Sequence, residues 1–223
     1  LKANPANLRA ELAVAMSEPM SALARATKVR EIISRLPGKS AAPLESVLIW
    51  TRIARQALAE LNFSEADVAL GAAAKFNAAL PLTKLAQADL AFAREKLDEA
   101  MPLYDAAISM DPGIVEPLLG RARMQIQLKQ YSKAEADLTT ASGLDKSDPR
   151  VVYWMGRMAE AQREVANALA RYQAAIDLDK GYLEAYLRKA QLHRLERQND
   201  DGRVEVVMQK KHEKRAPPPD LTP

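Results

Sequence analysis

The chain has 223 residues, 48% hydrophobic and 27% charged, with only 8 glycines and no cysteine. Such a mixture suits a helix-rich folded protein, and the missing thiols exclude disulfides, thiolate metal sites and cysteine nucleophiles. A balance of 32 basic against 29 acidic residues is too even to point to nucleic acid, and no apolar run approaches the ~20 residues that span a bilayer.

Residues 1–46 are expected to form an N-terminal helical hairpin and linker, with helices over about 5–17 and 19–36. Ala10, Val14, Leu23, Val29, Ile33 and Leu36 are among their apolar positions, and the stretch from Pro37 to Pro43 breaks the chain. From Val47 onward the sequence copies itself. Ala66, Ala100, Ala134 and Ala168 stand 34 residues apart. So do Ala73, Ala107, Ala141 and Ala175, and likewise Ala54, Ala88, Ala122, Gly156 and Ala190. A 34-residue period is the length of a helix–turn–helix unit.

With Val47, Pro81, Val115, Pro149 and Leu183 as first residues of successive units, these small rows fall at positions 20, 27 and 8. Large residues fall at positions 4, 17 and 24, as in Trp50, Leu118, Phe63, Tyr131, Tyr104 and Tyr172. Small side chains let neighbouring helices touch, and the large ones fill the gaps that remain. Caps agree with the register. Asp148 before Pro149 is expected to cap a first helix. Ser64-Glu-Ala-Asp67 and Ser132-Lys-Ala-Glu135 are expected to open second helices as capping boxes. Asp111, Asp145 and Asp179 recur at position 31, with Gly113 and Gly181 placed for left-handed helix ends. Departures from the pattern are Lys84 at position 4, Gly143 late in a second helix, and Pro102. Pro102 is expected to delay or bend the helix that holds it.

Four units thus occupy 47–182, a partial fifth with a capping helix 183–215, and a Pro-rich linker 216–223. Both ends of the chain suggest a piece of a longer polypeptide.

This pattern resembles the tetratricopeptide repeat (TPR) family. The resemblance implies an all-α fold, a right-handed α-solenoid of TPR-like helix–turn–helix repeats with an N-terminal helical hairpin and a C-terminal capping helix. It also implies a concave face lined by positions 2, 5, 9, 12 and 13 of each first helix. Carried onto this chain, that face holds Arg55, Asp89, Arg123, Arg157 and Gln191 at position 9 and Leu85, Leu119 and Tyr153 at position 5. Phe92 and Ile126 come from position 12, beside Leu58, and Arg150 from position 2. Apolar anchors beside arginines suit a partner peptide or helix carrying apolar and acidic groups, because a guanidinium grips a carboxylate at two points. The same arginines could instead pair with Asp89 or Glu160 within the groove. The subtype that grips chaperone tails is not supported, since its basic and Asn positions are here Leu85 and Asp89, or Leu119 and Arg123.

Catalytic and metal motifs are missing from the sequence: no Gly-rich phosphate loop, nucleophile elbow or His-Glu-x-x-His. His193 reads as a packed or half-exposed structural residue and His212 as a solvated one; Asp200-Asp201-Gly202 reads as a turn. Trp154 is expected to pack at a helix edge, and the basic stretch Lys210 to Arg215 to be a solvated helix end. The expectation is a non-catalytic interaction scaffold without cofactor, metal or nucleic acid, monomeric or weakly self-associating. Alternatives are a self-assembly module or a regulatory extension of a larger protein. The compartment stays open.

Overall fold

A computed structural model describes residues 11, 14–15, 18, 22–34, 43–77 and 80–197. Every regular element among them is a helix. These are α1 (Ala22–Ser34), α2 (Pro43–Ala59), α3 (Phe63–Asn77), α4 (Pro81–Ala93), α5 (Leu97–Met110), α6 (Val115–Gln127), α7 (Tyr131–Leu144), α8 (Pro149–Ala161) and α9 (Val165–Leu178). A further helix, α10, spans residues 183–197. The expected all-α repeat fold is what the chain adopts. First helices α4, α6 and α8 start at Pro81, Val115 and Pro149, and second helices start at position 17 of each unit. Only α2 departs, opening at Pro43 ahead of Val47.

The chain divides into two compact units, residues 1–146 and 147–223. In the first, α2/α3, α4/α5 and α6/α7 are antiparallel hairpins, and α3 meets α4 as α5 meets α6. The small rows explain how. Ala54, Ala88, Ala122, Ala66, Ala100, Ala134, Ala73, Ala107 and Ala141 are all fully buried. Each removes a side chain where two helices must nearly touch, and Tyr104 and Leu138 at position 24 close the space between. Gly120 is part of the same fit, because a Cβ there would stand 2.3 Å from Tyr104 Cε1. In the N-terminal segment, Ala15, Val29 and Ile32 join Trp50, Ile53 and Leu70 in one core cluster. Arg25 tethers it, donating to the carbonyls of Ala15 and Glu18 at 3.2 and 2.8 Å. Val14 is instead half exposed, and Ala10, Leu36 and the side chains of Leu23 and Ile33 lie outside the described residues.

In the second unit, α8, α9 and α10 bury Ala159, Ala168, Tyr172, Ala175, Ala185 and Leu192 together. Tyr153 is the hub of its aromatic packing, with ring centroids 5.5 to 5.6 Å from Trp154, Tyr172 and Tyr182. His193 faces solvent rather than the core, 3.9 Å from Glu196. The segments holding Asp200 to Gly202, Lys210 to Arg215 and His212 lie outside the described residues.

Helix ends correct several sequence expectations. Asp148 does cap α8, its carboxylate accepting the Arg150 N–H at 2.9 Å. At α3, however, the capping side chain is Asn62, which accepts the Glu65 N–H at 3.2 Å; Ser64 is already inside the helix. At α7, Gln130 holds the cap position without a side-chain bond, so Ser132 caps nothing. Pro102 does not delay α5, which begins at Leu97 and runs through it.

The left-handed residues also lie elsewhere. Gly113 and Gly181 carry no positive φ; their N–H groups bond to the side chains of Asp111 and Asp179 at 3.0 and 2.8 Å. Positive φ occurs instead at Leu61, Glu95, Lys129 and Arg163, with values of 56°, 59°, 58° and 65°. All four are position 15, in the turn inside each repeat. There the next residue's N–H reaches back to close the first helix, as Asn62 does to Ala57 and Gln130 to Gln125, both at 2.8 Å.

Candidate partner-binding face

First helices α2, α4 and α6 are neighbours within the first unit. Position 12 therefore forms a ladder of half-buried apolar side chains, Leu58, Phe92 and Ile126. Position 9 forms a charged row beside it: Arg55 exposed, Asp89 and Arg123 half buried. Position 5 does not join them. Leu85 and Leu119 are 2% and 7% exposed and belong to the core. Positions 5 and 12 lie seven residues apart on one helix face, so the difference is along the axis: position 5 sits in the second turn, whereas Phe92 and Ile126 are in the last. The surface strip is thus Leu58–Phe92–Ile126, narrower than the sequence reading.

Asp89 sits at the centre of the charged row. Its carboxylate accepts the Tyr104 hydroxyl at 2.7 Å and lies 3.9 Å from Arg123. Burial raises its pKa above the ordinary 3.8, against the lowering pull of Tyr104, Arg123 and Arg55. Burial first, then Asp89, pushes the Tyr104 hydroxyl far above its usual range, so it stays a donor. Arg123 lies over the Phe92 ring, Cζ 4.3 Å from the centroid, a contact worth about 0.5–2 kcal/mol. At 3.9 Å its ion pair with Asp89 is too long for a hydrogen bond. Two cations and one carboxylate leave this row net positive.

The second unit holds Arg150, Tyr153, Arg157 and Gln191. Here the arginines meet internal partners. Arg150 folds back on Asp148, with Nε 2.9 and 3.0 Å from its two oxygens and Nη2 2.6 Å from Oδ2. Arg157 lies 3.7 Å from Glu160, 3.3 Å from the Tyr153 hydroxyl and 5.4 Å from the Trp154 ring centroid. Tyr153 is 8% exposed and is core rather than surface. Gln191 is exposed and accepts from Arg188 at 3.1 Å. Trp154 packs at the edge of the aromatic cluster, as expected.

The sequence reading missed Glu160 as a junction. It accepts the Tyr172 hydroxyl at 2.5 Å and both arms of Arg188 at 2.9 and 2.8 Å, tying α8, α9 and α10 together. A signal existed: Tyr104 and Tyr172 share position 24, and each finds an acid on its own repeat's first helix. Among the described residues no group of three or more His, Asp or Glu could hold a metal, and no helix is long and apolar enough to cross a membrane.

Helical hairpins stacked on one period, with small residues at the contacts and a polar face left over, define a tandem-repeat protein whose assets are surfaces. The family model for the tetratricopeptide repeat matches residues 91–158. A thermophilic TPR protein of Thermus thermophilus is 18% identical, with a TM-score of 0.65 over 83% of this chain and 98% of that one. Yeast Tom70 is 17% identical, TM-score 0.64, over 92% of this chain and 43% of its own. The structure from the characterisation of Pseudomonas aeruginosa pilF is 20% identical, TM-score 0.59, over 73% and 74%. At such identities the likeness is one of fold. No curated protein matches the chain by sequence. Residues 91–158 thus carry the tetratricopeptide-repeat signature, and the chain shares the fold of these TPR structures.

Proposed function

We propose that this chain is a non-catalytic interaction scaffold, and that the face of α2, α4 and α6 receives a segment of a partner protein. The observation that carries this reading is the pairing of two rows: Leu58–Phe92–Ile126 offers apolar contact, and Arg55–Asp89–Arg123 runs beside it with a net positive charge. The partner segment presents apolar side chains on one edge and carboxylates on the other. Arg55 and Arg123 are its anchors, since both stand beside the apolar ladder of this face, whereas Arg150 is folded onto Asp148. Leu85 and Leu119 support the face from beneath without touching the ligand. The test is an array of synthetic peptides that vary leucine and glutamate content, probed with the full chain and with Arg55→Glu/Arg123→Glu. Acidic, leucine-bearing peptides should bind, weaken with salt, and be lost in the variant while its circular dichroism is unchanged. Equal binding by both proteins would remove the assignment.

A second reading, self-association, is favoured by one observation. Leu183, Tyr186 and Leu187 are 61%, 44% and 54% exposed on one side of α10, opposite the buried Ala185 and Leu192. Light scattering of the full chain and of Leu187→Glu tests it. A mass that grows with concentration only in the unaltered chain would support it, and a constant monomer would end it.

A further inference from the structure

On the other side of α4 from Leu85 and Asp89, the first unit has an open cavity of about 420 Å³ between α3, α4 and α5. Its floor is apolar, made by Leu70, Ala74, Leu90 and Leu103. The repeat itself shows why it exists. One period later, around α5, α6 and α7, Arg121 donates to Asp137 at 2.8 and 2.6 Å and to Asp105 at 2.6 Å. A shift of 34 residues toward the N-terminus turns Asp105 into Gly71, Arg121 into Gln87 and Asp137 into Leu103. All three line the cavity. Where one repeat contact is filled by an ion triad, the preceding one has no side chain at Gly71, an uncharged amide at Gln87 and an apolar wall at Leu103. Nothing lies within 4 Å of where a Gly71 Cβ would stand.

We propose that this cavity is a second binding site, one that takes a bulky uncharged apolar side chain (Leu, Met or Phe) from a partner segment. Its rim says which chemistry fits. Arg94 is held by Asp67 at 2.5 Å and Lys96 by Glu99 at 3.0 Å, so the rim's charges are matched among themselves. A charged ligand gains nothing there, whereas an apolar group removes the floor from water. The Gln87 amide can both donate to and accept from a peptide backbone carrying that side chain. The volume lies within the range of ligand pockets.

The experiment titrates N-acetyl-phenylalaninamide and N-acetyl-leucinamide into the methyl-labelled full chain, at low and high salt. Saturable shifts of the Leu70, Leu90 and Leu103 methyls, unchanged by salt, are expected. They should vanish in Gly71→Leu, which fills the cavity, and in Gly71→Asp/Gln87→Arg/Leu103→Asp, which installs the neighbouring triad. Absent shifts, or shifts that persist in a folded Gly71→Leu, would overturn the proposal. Equal response to N-acetyl-glutamate would overturn the uncharged class, and methyl shifts produced by protein concentration alone would give the cavity to a second copy. Because the binding is insensitive to salt and to Arg55 and Arg123, its failure is distinguishable from failure of the α2/α4/α6 face.

Discussion

A leucine, a glutamate, a lysine and an arginine occupy the same left-handed turn position in four successive repeats, although such a conformation costs an ordinary residue about 1–2 kcal/mol. Lys129→Gly should therefore stabilise the fold by about 1 kcal/mol, read as a higher urea midpoint. A lower midpoint would mean that the lysine side chain contributes more than the strain costs. The sequence points to Gly113 and Gly181 for left-handed residues because glycine is the usual signature; the fold instead enforces that geometry through its helix-end hydrogen bonds, which no residue type announces. Gly120 has the opposite logic. Its Cβ would meet the buried Tyr104 ring, so Gly120→Ala should destabilise by about 1–3 kcal/mol despite the helix preference of alanine. Asp89 supplies a pH test. A carboxyl whose folded pKa is raised stabilises fully below the ordinary value of 3.8 and loses that contribution as pH rises through the folded value. Relative to Asp89→Asn, which can still accept from Tyr104, the unaltered chain should lose stability over that rise. Parallel curves of urea midpoint against pH would contradict this.

At the scale of elements, the helices were legible because three rows of small residues, the Asp148–Pro149 cap and the large residues at positions 17 and 24 all shared one period. What resisted reading was which first-helix positions remain at the surface. Position 5 looked like a groove lining, yet Leu85 and Leu119 are buried while Phe92 and Ile126, seven residues on along the same face, stay half buried. Long-range polar partners were harder to read: the shared position of Tyr104 and Tyr172 hints at an acid partner, but nothing in the sequence brings Arg188 of α10 to Glu160. That junction predicts a local effect. Glu160→Gln removes the charge that Arg188 grips from α10, at a cost of about 1–3 kcal/mol. Hydrogen exchange should quicken across residues 183–197 while α2 to α7 keep their protection; unchanged exchange in α10 would show that Leu192 and Ala185 hold it alone.

Over the whole molecule, the two compact units divide the labour differently. In residues 1–146 a net positive row lies beside an apolar ladder, whereas in 147–223 Arg150 and Arg188 are paired with Asp148 and Glu160. The sequence named nearly all of these residues but could not tell available cations from occupied ones, because that distinction rests on distances of a few ångströms between helices. The partner binding proposed for this chain therefore rests on the α2/α4/α6 face. The measurement that tests it most directly is selection of a displayed random-peptide library on the full chain and, in parallel, on Arg55→Glu/Arg123→Glu. Enrichment of peptides that combine leucine-like residues with glutamate or aspartate, on the unaltered chain alone, is the predicted result. Enrichment of basic peptides, or the same acidic peptides from both proteins, would contradict it.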